Sequence, residues 1–140
     1  MLVYLAGAIS WYIRNNKFNE CLKWRISLTE KLNMLDVKCF NACTNLKQNM
    51  LYTNLSNLKQ NVFYLSESDI IIVNTDHILE SPGTIFELTY CYLKQKPVIG
   101  LGINENINSS FHLSSCIDQY LKDEDEVVEY IKSLYHLEIK

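Results

Sequence analysis

The sequence predicts an α/β fold in which helices cover both faces of a parallel sheet of about five strands. Short apolar runs alternate along the chain with longer segments whose apolar residues recur at helical spacing. Residues 70–73 form a continuous β-branched run, which is typical of a central parallel strand covered on both faces. The connections between the runs are long enough for parallel crossovers. At 140 residues, the chain has the length of one domain, so we expect a single domain over residues 1–140.

The first half of the chain contains two predicted strands and one clear helix. Leu2 to Ala6 is a short apolar run that ends at Gly7, which predicts a strand followed by a turn. Residues 16–32 fit a helical period better than an alternating one, and residues 37–40 predict a second strand. Residues 41–54 are polar and ambiguous, and we assign them no element.

The second half continues the alternation of strand and helix. A helical stripe (Leu55, Leu58, Val62, Phe63 and Leu65) precedes the central strand. Residues 81–84 form a turn into a helix that ends at residues 96–97, with Ile85, Phe86, Leu88, Leu93 and Tyr92 expected to face inward. Residues 98–101 predict the next strand, and residues 124–137 an amphipathic helix with an apolar face of Val127, Val128, Ile131 and Leu134. Together these elements predict a flavodoxin-like three-layer α/β/α sandwich.

In such sheets, ligands bind beyond the carboxyl ends of the strands. The segments that follow the predicted strands, residues 7–14, 74–87 and 102–115, are therefore the candidates for a functional site.

Composition and charge restrict the classes of partner. The formal net charge of −3 and the lack of a basic stripe argue against polymeric nucleic acid. The longest apolar run is too short to span a bilayer, so we expect no membrane partner. The N-terminus lacks a basic leader and is interpreted as a first strand. Five cysteines without a C-x-x-C spacing predict buried free thiols, which suits a cytoplasmic location, and no metal site.

Glu87 is the strongest candidate for chemistry. It lies about one turn into a predicted helix, where the helix dipole favours an ionised carboxylate. Such a carboxylate at the ligand edge of the sheet can attack an electrophilic sugar carbon. On position alone, an ordinary glutamate that complements the helix dipole is the commoner interpretation.

The segments around Glu87 resemble the nucleoside 2-deoxyribosyltransferase family. From Ser68 the chain reads S-D-I-I-I-V-N-T-D-(x4)-S-P-G-T-I-F-E-L-(x8)-P-V-I-G, which is similar to the family's strand, D/S-x-G-T-x-x-E-L loop and K-P-V-I segment. Residues 4–9, Y-L-A-G-A-I, resemble its Y-L-A-G-P-I signature with Ala8 in place of proline. Trp24 and Arg25 fall where many relatives have a W-R pair. The resemblance covers almost the whole chain.

This resemblance implies roles for individual residues. Glu87 takes the place of the nucleophile that forms a covalent deoxyribosyl intermediate at C1′. Gly7 and its neighbours, including Ile9, would let the backbone approach the sugar or phosphate. Gly83 and Thr84 would shape the turn that directs Glu87, although an ordinary turn at the start of a helix is also compatible. No cofactor is implied.

Two positions depart from the transferase pattern. Ser81 replaces an Asp and resembles the related 2′-deoxynucleoside 5′-monophosphate N-hydrolases, whose hydroxyls line a phosphate pocket; a helix cap is the alternative. Asn61 replaces an Asp that is thought to assist proton transfer, and Asn cannot take a proton at neutral pH. Asp76 is the nearest substitute in sequence, unless it is a solvated loop carboxylate.

Further substrate contacts are expected from both ends of the chain. Ser110 aligns with a residue that reaches into a neighbouring subunit's site in the family, and with Ser81 it favours a 5′-phosphate; a plain polar loop is the alternative. Tyr4 and Trp11 could stack on a base, and Arg14 could meet a phosphate; core packing of Tyr4 and a solvated Arg14 are the alternatives. The family forms dimers or higher oligomers with shared sites, with which the 55–65 stripe and the Phe111 loop are compatible.

The sequence therefore predicts an enzyme that cleaves the N-glycosidic bond of a 2′-deoxynucleoside or its 5′-monophosphate and transfers the sugar to another nucleobase. Hydrolysis of a deoxynucleoside 5′-monophosphate is the first alternative. A non-catalytic nucleotide-binding module, or a domain that serves only as an interaction partner, are further alternatives.

Overall fold

Strands and helices alternate along the chain in the computed structural model, which describes residues 1–45 and 54–137. The strands are β1 (Leu2–Ala6), β2 (Lys38–Asn41), β3 (Ile70–Asn74), β4 (Val98–Leu101) and β5 (Gln119–Leu121). The α-helices are α1 (Ser10–Arg14), α2 (Phe18–Asn33), α3 (Asn54–Glu67), α4 (Pro82–Leu93), α5 (Phe111–Ser114) and α6 (Glu124–Leu134). Short 3-10 helices cover Ala42–Asn45, Ile78–Glu80 and Glu105–Ser109.

The five strands form one sheet in the order β2-β1-β3-β4-β5, and every neighbouring pair is parallel. This is the flavodoxin-like order, so the predicted fold class is confirmed. The chain reverses its direction of travel across the sheet between β1 and β3, which makes the carboxyl ends of these strands the switch point where ligands bind in such folds.

Two helical layers cover the sheet. Side chains of α3, α4 and α5 pack with Tyr4, Ile71 and Val73 on one face. Side chains of α2 and α6 pack with Ile70 and Ile72 on the other. All four residues of the 70–73 run are fully buried, as predicted for a central strand.

The inward face of α4 differs from the prediction. Phe86 is 50% exposed and Leu93 72% exposed, and Tyr92 also faces solvent. The buried residues are Thr84, Leu88 and Cys91, with Glu87 half-buried on the same side. Apolar residues surround this helix on all sides, so their periodicity does not determine which side packs on the sheet.

The predicted stripe on α3 is also largely exposed. Leu55, Leu58 and Phe63 face solvent, whereas Leu65 is fully buried. The final helix agrees better, since Val127 and Ile131 are buried and only Leu134 of its apolar face is exposed.

The remaining differences lie in segments that follow strands. Residues 10–14, expected to be a loop, form α1. The unassigned segment 41–54 comprises the last residue of β2, the 3-10 helix Ala42–Asn45 and the first residue of α3, and its residues 46–53 lie outside the described residues. The five cysteines are free. The buried ones are Cys21, Cys43 and Cys91, and the half-buried ones are Cys39 and Cys116. Within the described ranges, no helix has the length and apolar character needed to cross a bilayer.

Candidate active site

Glu87 lies on the side of α4 that faces β1. The helix starts with Pro82 in its first turn, where a missing N–H costs nothing. Leu88 packs into the core and fixes the rotation of the helix, which turns Glu87 toward the sheet. The Tyr4 hydroxyl donates a hydrogen bond to Glu87 Oε1 over 3.1 Å. No Lys, Arg or His nitrogen lies within 4 Å of this carboxylate among the described residues.

Burial dominates the ionisation of Glu87. It raises the pKa of the carboxyl to about 7, against the Tyr4 hydrogen bond and the positive charge of Arg25, which lower it. The sequence predicts an ionised carboxylate supported by the helix dipole. In the structure Glu87 is the sixth residue of α4, beyond the first turn where free N–H groups act. The carboxyl is therefore divided between its two protonation states near neutral pH.

Tyr4 is the hydrogen-bond donor of the site and is fully buried. Burial and the negative charge of Glu87 raise the pKa of Tyr4 far above its usual range, so its hydroxyl keeps its proton. Its ring packs on Phe40 at 5.2 Å between centroids, and Phe40 stacks on Tyr64 at 4.0 Å. This aromatic packing orients the hydroxyl toward Glu87. Sequence reasoning considered Tyr4 for base stacking or for the core, and missed its contact with Glu87.

Gly7 follows β1 in a backbone conformation that other residues rarely adopt, with φ of +154°. A Cβ at this position would lie 3.2 Å from Trp24 Cζ2, and 3.3 Å from both Arg25 Nη2 and Asn74 Cβ. The Gly7 carbonyl oxygen accepts a hydrogen bond from Arg25 Nη2 over 3.1 Å. The backbone conformation and the close neighbours together favour glycine here, without reference to a ligand.

Gly7→Ala is expected to lower the free energy of unfolding by about 1–3 kcal/mol, the usual cost of a strained backbone conformation. The added methyl group also pushes against Trp24 and Arg25. Urea unfolding of the variant measures this loss. Gly83→Ala is the matched control, because a Cβ at Gly83 would meet no atom within 4 Å. An unchanged midpoint for Gly7→Ala would refute the packing argument.

The first loop brings aromatic side chains to the carboxyl edge. The Trp11 ring stacks on His77 with centroids 3.3 Å apart and planes 11° apart. The Lys17 ammonium lies 5.8 Å from the Trp11 centroid. Ile9 precedes α1 and packs partly against the core, and Arg14 is exposed in the last turn of that helix. The face of Trp11 toward His77 is thus already covered.

The two candidates for proton transfer lie on different elements, Asn61 in α3 and Asp76 after β3. Asp76 is exposed just after β3, and its backbone N–H donates to Asn74 Oδ1 over 2.9 Å. Burial raises the pKa of Tyr12 to about 12, and the negative charge of Asp76 is the second contribution to this rise. Asp76 is not among the groups that shift the pKa of Glu87. Asn61 is half-buried on α3.

The two candidate hydroxyls have different local partners. Ser81 Oγ and Thr84 Oγ1 are 2.8 Å apart and share a hydrogen bond, and the Ser81 side chain makes no capping bond to α4. Ser110 Oγ accepts from the Leu113 N–H over 3.4 Å and caps α5. Ser81 therefore lacks the side-chain capping bond that its alternative interpretation requires, whereas Ser110 makes such a bond at the start of α5.

Among the cavities formed by the described residues, four lie along the carboxyl edge or beside α4. Their volumes are about 420, 350, 340 and 340 Å³. Asp76 lines the first with Trp24 and Gly102, and Ser110 lines the second with Phe111. Glu87 lines none of these four. Within the described residues, no group of three or more His, Cys, Asp or Glu side chains could hold a metal ion.

Solved structures share this fold at low sequence identity. A conserved protein from Enterococcus faecalis V583 superimposes with a TM-score of 0.71 at 16% identity, over 96% of this chain and 98% of the other. A 2-deoxyribosyltransferase from the psychrotolerant bacterium Bacillus psychrosaccharolyticus gives a TM-score of 0.66 at 17% identity, over 100% and 99% of the two chains. At these identities the likeness shows a common fold. No curated protein matches the sequence.

One family profile, described as a BspA type leucine-rich repeat region (6 copies), matches residues 11–94. Leucine-rich repeats stack one short strand per repeat of about 20–29 residues into a solenoid. The described part of this segment instead contains β2 and β3, which are separated by a helix and lie on either side of β1 in a single parallel sheet. A single parallel sheet of this order is not a repeat solenoid, and we do not assign the chain to that family.

Proposed function

We propose that this chain cleaves the N-glycosidic bond of a 2′-deoxynucleoside or its 5′-monophosphate, with Glu87 as the nucleophile, and passes the sugar to another nucleobase. The observation that carries the proposal is the Glu87 carboxyl beside the switch point of the sheet, held by the Tyr4 hydroxyl and without a cation in ion-pair distance among the described residues. The shared fold of a 2-deoxyribosyltransferase supports it.

The proposed reaction is a double displacement that retains the sugar configuration. A Glu87 oxygen forms a bond to C1′ while the C1′–N bond breaks and its electron pair leaves with the base, which takes up a proton. A nitrogen of a second base then bonds to C1′ and loses its proton, which balances the proton taken up by the first base, while the bond between C1′ and the Glu87 oxygen breaks and regenerates the carboxylate. The absent 2′-hydroxyl eases the oxocarbenium-like transition state, so deoxyribose should react faster than ribose. The cycle needs no cofactor.

Tyr4 has a defined part in this scheme. Its hydroxyl donates to Oε1, which fixes the plane of the carboxylate and leaves the other oxygen for attack. Because only the ionised carboxylate attacks and burial raises the pKa of Glu87 to about 7, the competent form increases as the pH rises through neutrality.

Hydrolysis of a deoxynucleoside 5′-monophosphate is the second candidate. Ser81 offers a hydroxyl paired with the neutral Thr84 hydroxyl, so no carboxylate at this position repels a phosphate. In this version water replaces the acceptor base, and the products are free base and deoxyribose 5-phosphate.

The proposed partners are the deoxynucleoside or deoxynucleotide, a nucleobase and a second copy of the chain. Phe111, beside Ser110, is 79% exposed and is available for contact with another subunit in a homodimer or higher homo-oligomer. We propose a cytoplasmic location, where such substrates and free thiols coexist.

Two incubations distinguish the candidates. The protein is given a deoxynucleoside with a free acceptor base, and separately each deoxynucleoside 5′-monophosphate. New nucleoside supports transfer, and free base with deoxyribose 5-phosphate supports hydrolysis. Tight nucleotide binding without base release would contradict both and favour a binding module, and the absence of any ligand-induced rise in melting temperature would favour an interaction domain.

A further inference from the structure

Cys21 and Cys43 form a pair of buried thiols that the proposed reaction does not use. Cys21 lies in α2, close to its start, and Cys43 lies in the 3-10 helix that follows β2. Their sulfur atoms are 3.6 Å apart and share a hydrogen bond. With Ala8 and Tyr12 they form a small cluster that is separate from the two main cores. The fold thus places in contact two thiols that are 22 residues apart in the sequence.

Arg25 brings a positive charge into contact with this pair. Its Nη1 donates a hydrogen bond to Cys21 Sγ over 3.0 Å and another to the Cys21 carbonyl oxygen over 2.9 Å. The Arg25 side chain is fully buried, and within the described residues no carboxylate oxygen lies within 4 Å of its guanidinium. The Cys21 thiol is therefore the acidic group that this cation contacts. A buried cation favours ionisation of such a thiol, because the thiolate compensates for its charge.

The thiols of the chain differ accordingly in how readily they ionise. The hydrogen bond from Cys43 and the positive charge of Arg25 lower the pKa of Cys21 to about 7, against burial, which raises it. The same hydrogen bond, together with burial, raises the pKa of Cys43 far above its usual range. Burial raises the pKa of Cys39 to about 11 and that of Cys91 to about 12. Because the thiolate is the nucleophilic form, Cys21 is the reactive sulfur and Cys43 is a neutral thiol beside it.

We propose that Cys21 and Cys43 are an oxidation site that a peroxide converts to an internal disulfide, with Cys21 as the attacking thiolate and Cys43 as the thiol that resolves the intermediate. The two sulfurs are already in contact, so formation of the bond requires them to approach by about 1.5 Å. Because the cluster lies outside the main cores, local opening should expose it to a small oxidant at a lower free energy than global unfolding.

The oxidation proceeds in two steps. In the first step the Cys21 thiolate attacks one oxygen of hydrogen peroxide, the O–O bond breaks, and the leaving hydroxide takes a proton from solvent to become water. This step leaves a sulfenic acid on Cys21. In the second step the Cys43 sulfur attacks the Cys21 sulfur, the S–O bond breaks, and the hydroxide leaves as water with the Cys43 proton. The dithiol loses two electrons, and the peroxide is reduced to two molecules of water.

The disulfide would change the hydrogen bonds of the loop that follows β1. In its protonated form Cys21 Sγ donates to the Ala8 carbonyl oxygen over 3.5 Å. Arg25 Nη2 donates to the carbonyl oxygen of the preceding residue, Gly7, over 3.1 Å. A disulfide sulfur has no proton to donate to Ala8 and no charge with which to hold Arg25. We therefore expect the amide NMR resonances of Gly7 and Ala8 to shift on oxidation.

Folded native protein is treated with hydrogen peroxide at neutral pH, the remaining thiols are blocked, and the peptides are analysed by mass spectrometry. We expect the peptides of Cys21 and Cys43 to be joined, with the loss of two hydrogen atoms, before Cys116 is modified, although Cys116 is less buried. Fragment spectra must separate Cys43 from Cys39, because no Lys or Arg lies between them. Dithiothreitol should then restore both thiols. A link through another cysteine, a link between two chains, or earlier oxidation of Cys116 would overturn the proposal.

Three variants test the roles of the two sulfurs. In Cys43→Ser, oxidation should stop at a sulfenic acid on Cys21, which dimedone traps. In Cys21→Ser, Cys43 should stay reduced at the peroxide dose that completes the native reaction. Cys116→Ser is the matched control, because it keeps the pair and should react as the native protein does. A trapped sulfenic acid on Cys43 in Cys21→Ser would contradict the assigned order. None of these readouts requires substrate, so they stand or fail independently of base release.

The native protein alone decides the case in which a variant does not fold. Its peptide analysis needs no substitution, and circular dichroism before and after treatment shows that the fold persists. Two thiols that both remain reduced until Cys116 is fully oxidised would equally overturn the inference.

Discussion

Glu87→Gln is expected to reduce base release from deoxynucleosides and deoxynucleotides by at least about 10³-fold, because the amide cannot form the glycosyl ester. The amide oxygen can still accept the Tyr4 hydrogen bond, so the fold should persist. Turnover is measured as free base or new nucleoside, and the fold by circular dichroism. After rapid quenching, the native protein should also carry a deoxyribosyl adduct on the peptide that contains Glu87, and the variant should not.

Glu30→Gln is the matched control for this substitution. Glu30 is exposed on α2, and the change there removes the same charge without reaching the site. It should retain native turnover within about twofold. Persistent turnover in Glu87→Gln, or an adduct on another peptide, would exclude Glu87 as the nucleophile.

The second large effect concerns stability. Glu87→Gln should be more stable than the native protein at pH 8 by about 1–3 kcal/mol, and this advantage should shrink toward pH 5. Burial raises the pKa of Glu87 from its ordinary 4.5 to about 7 in the folded state, so between these values the folded chain binds more protons than the unfolded one. Native stability therefore falls as the pH rises through this window. The amide that replaces the Glu87 carboxyl is neutral at every pH, so the variant does not lose stability in this way.

Urea unfolding of both proteins at pH 5, 6, 7 and 8 measures the difference. Glu30→Gln should stay within about 0.5 kcal/mol of the native protein at every pH, because it is exposed. A difference between Glu87→Gln and the native protein that is constant with pH would show that the Glu87 pKa is not raised by folding.

The topology followed from the sequence because its main signals are local. The continuous run at 70–73 and the alternation with helical segments predicted a parallel sheet covered on both faces, and the structure has both. The inward side of α4 was not predictable in the same way. Its apolar residues surround the helix, and packing against the sheet and the neighbouring helices selects Leu88 and Cys91 for burial.

The candidate site was predictable to a smaller extent. The loop and helix start around Glu87 are contiguous in sequence, so a pattern can find them. Tyr4 and Glu87 are 83 residues apart, and Arg25 reaches Gly7 across 18 residues. Neither contact leaves a local pattern, and both depend on how the layers close over the sheet. The pairing of Ser81 with Thr84 is local, but rotamers and not spacing decide it.

The two outermost strands of the sheet are short, with four residues in β2 and three in β5. Short edge strands expose few unpaired N–H and C=O groups to which a strand of another chain could bind. If copies of this protein assemble, we expect them to contact each other through their helices. The exposed apolar side chains of α3 and α4 are available for such a contact. Open-ended assembly by pairing of edge strands between copies is disfavoured for the same reason.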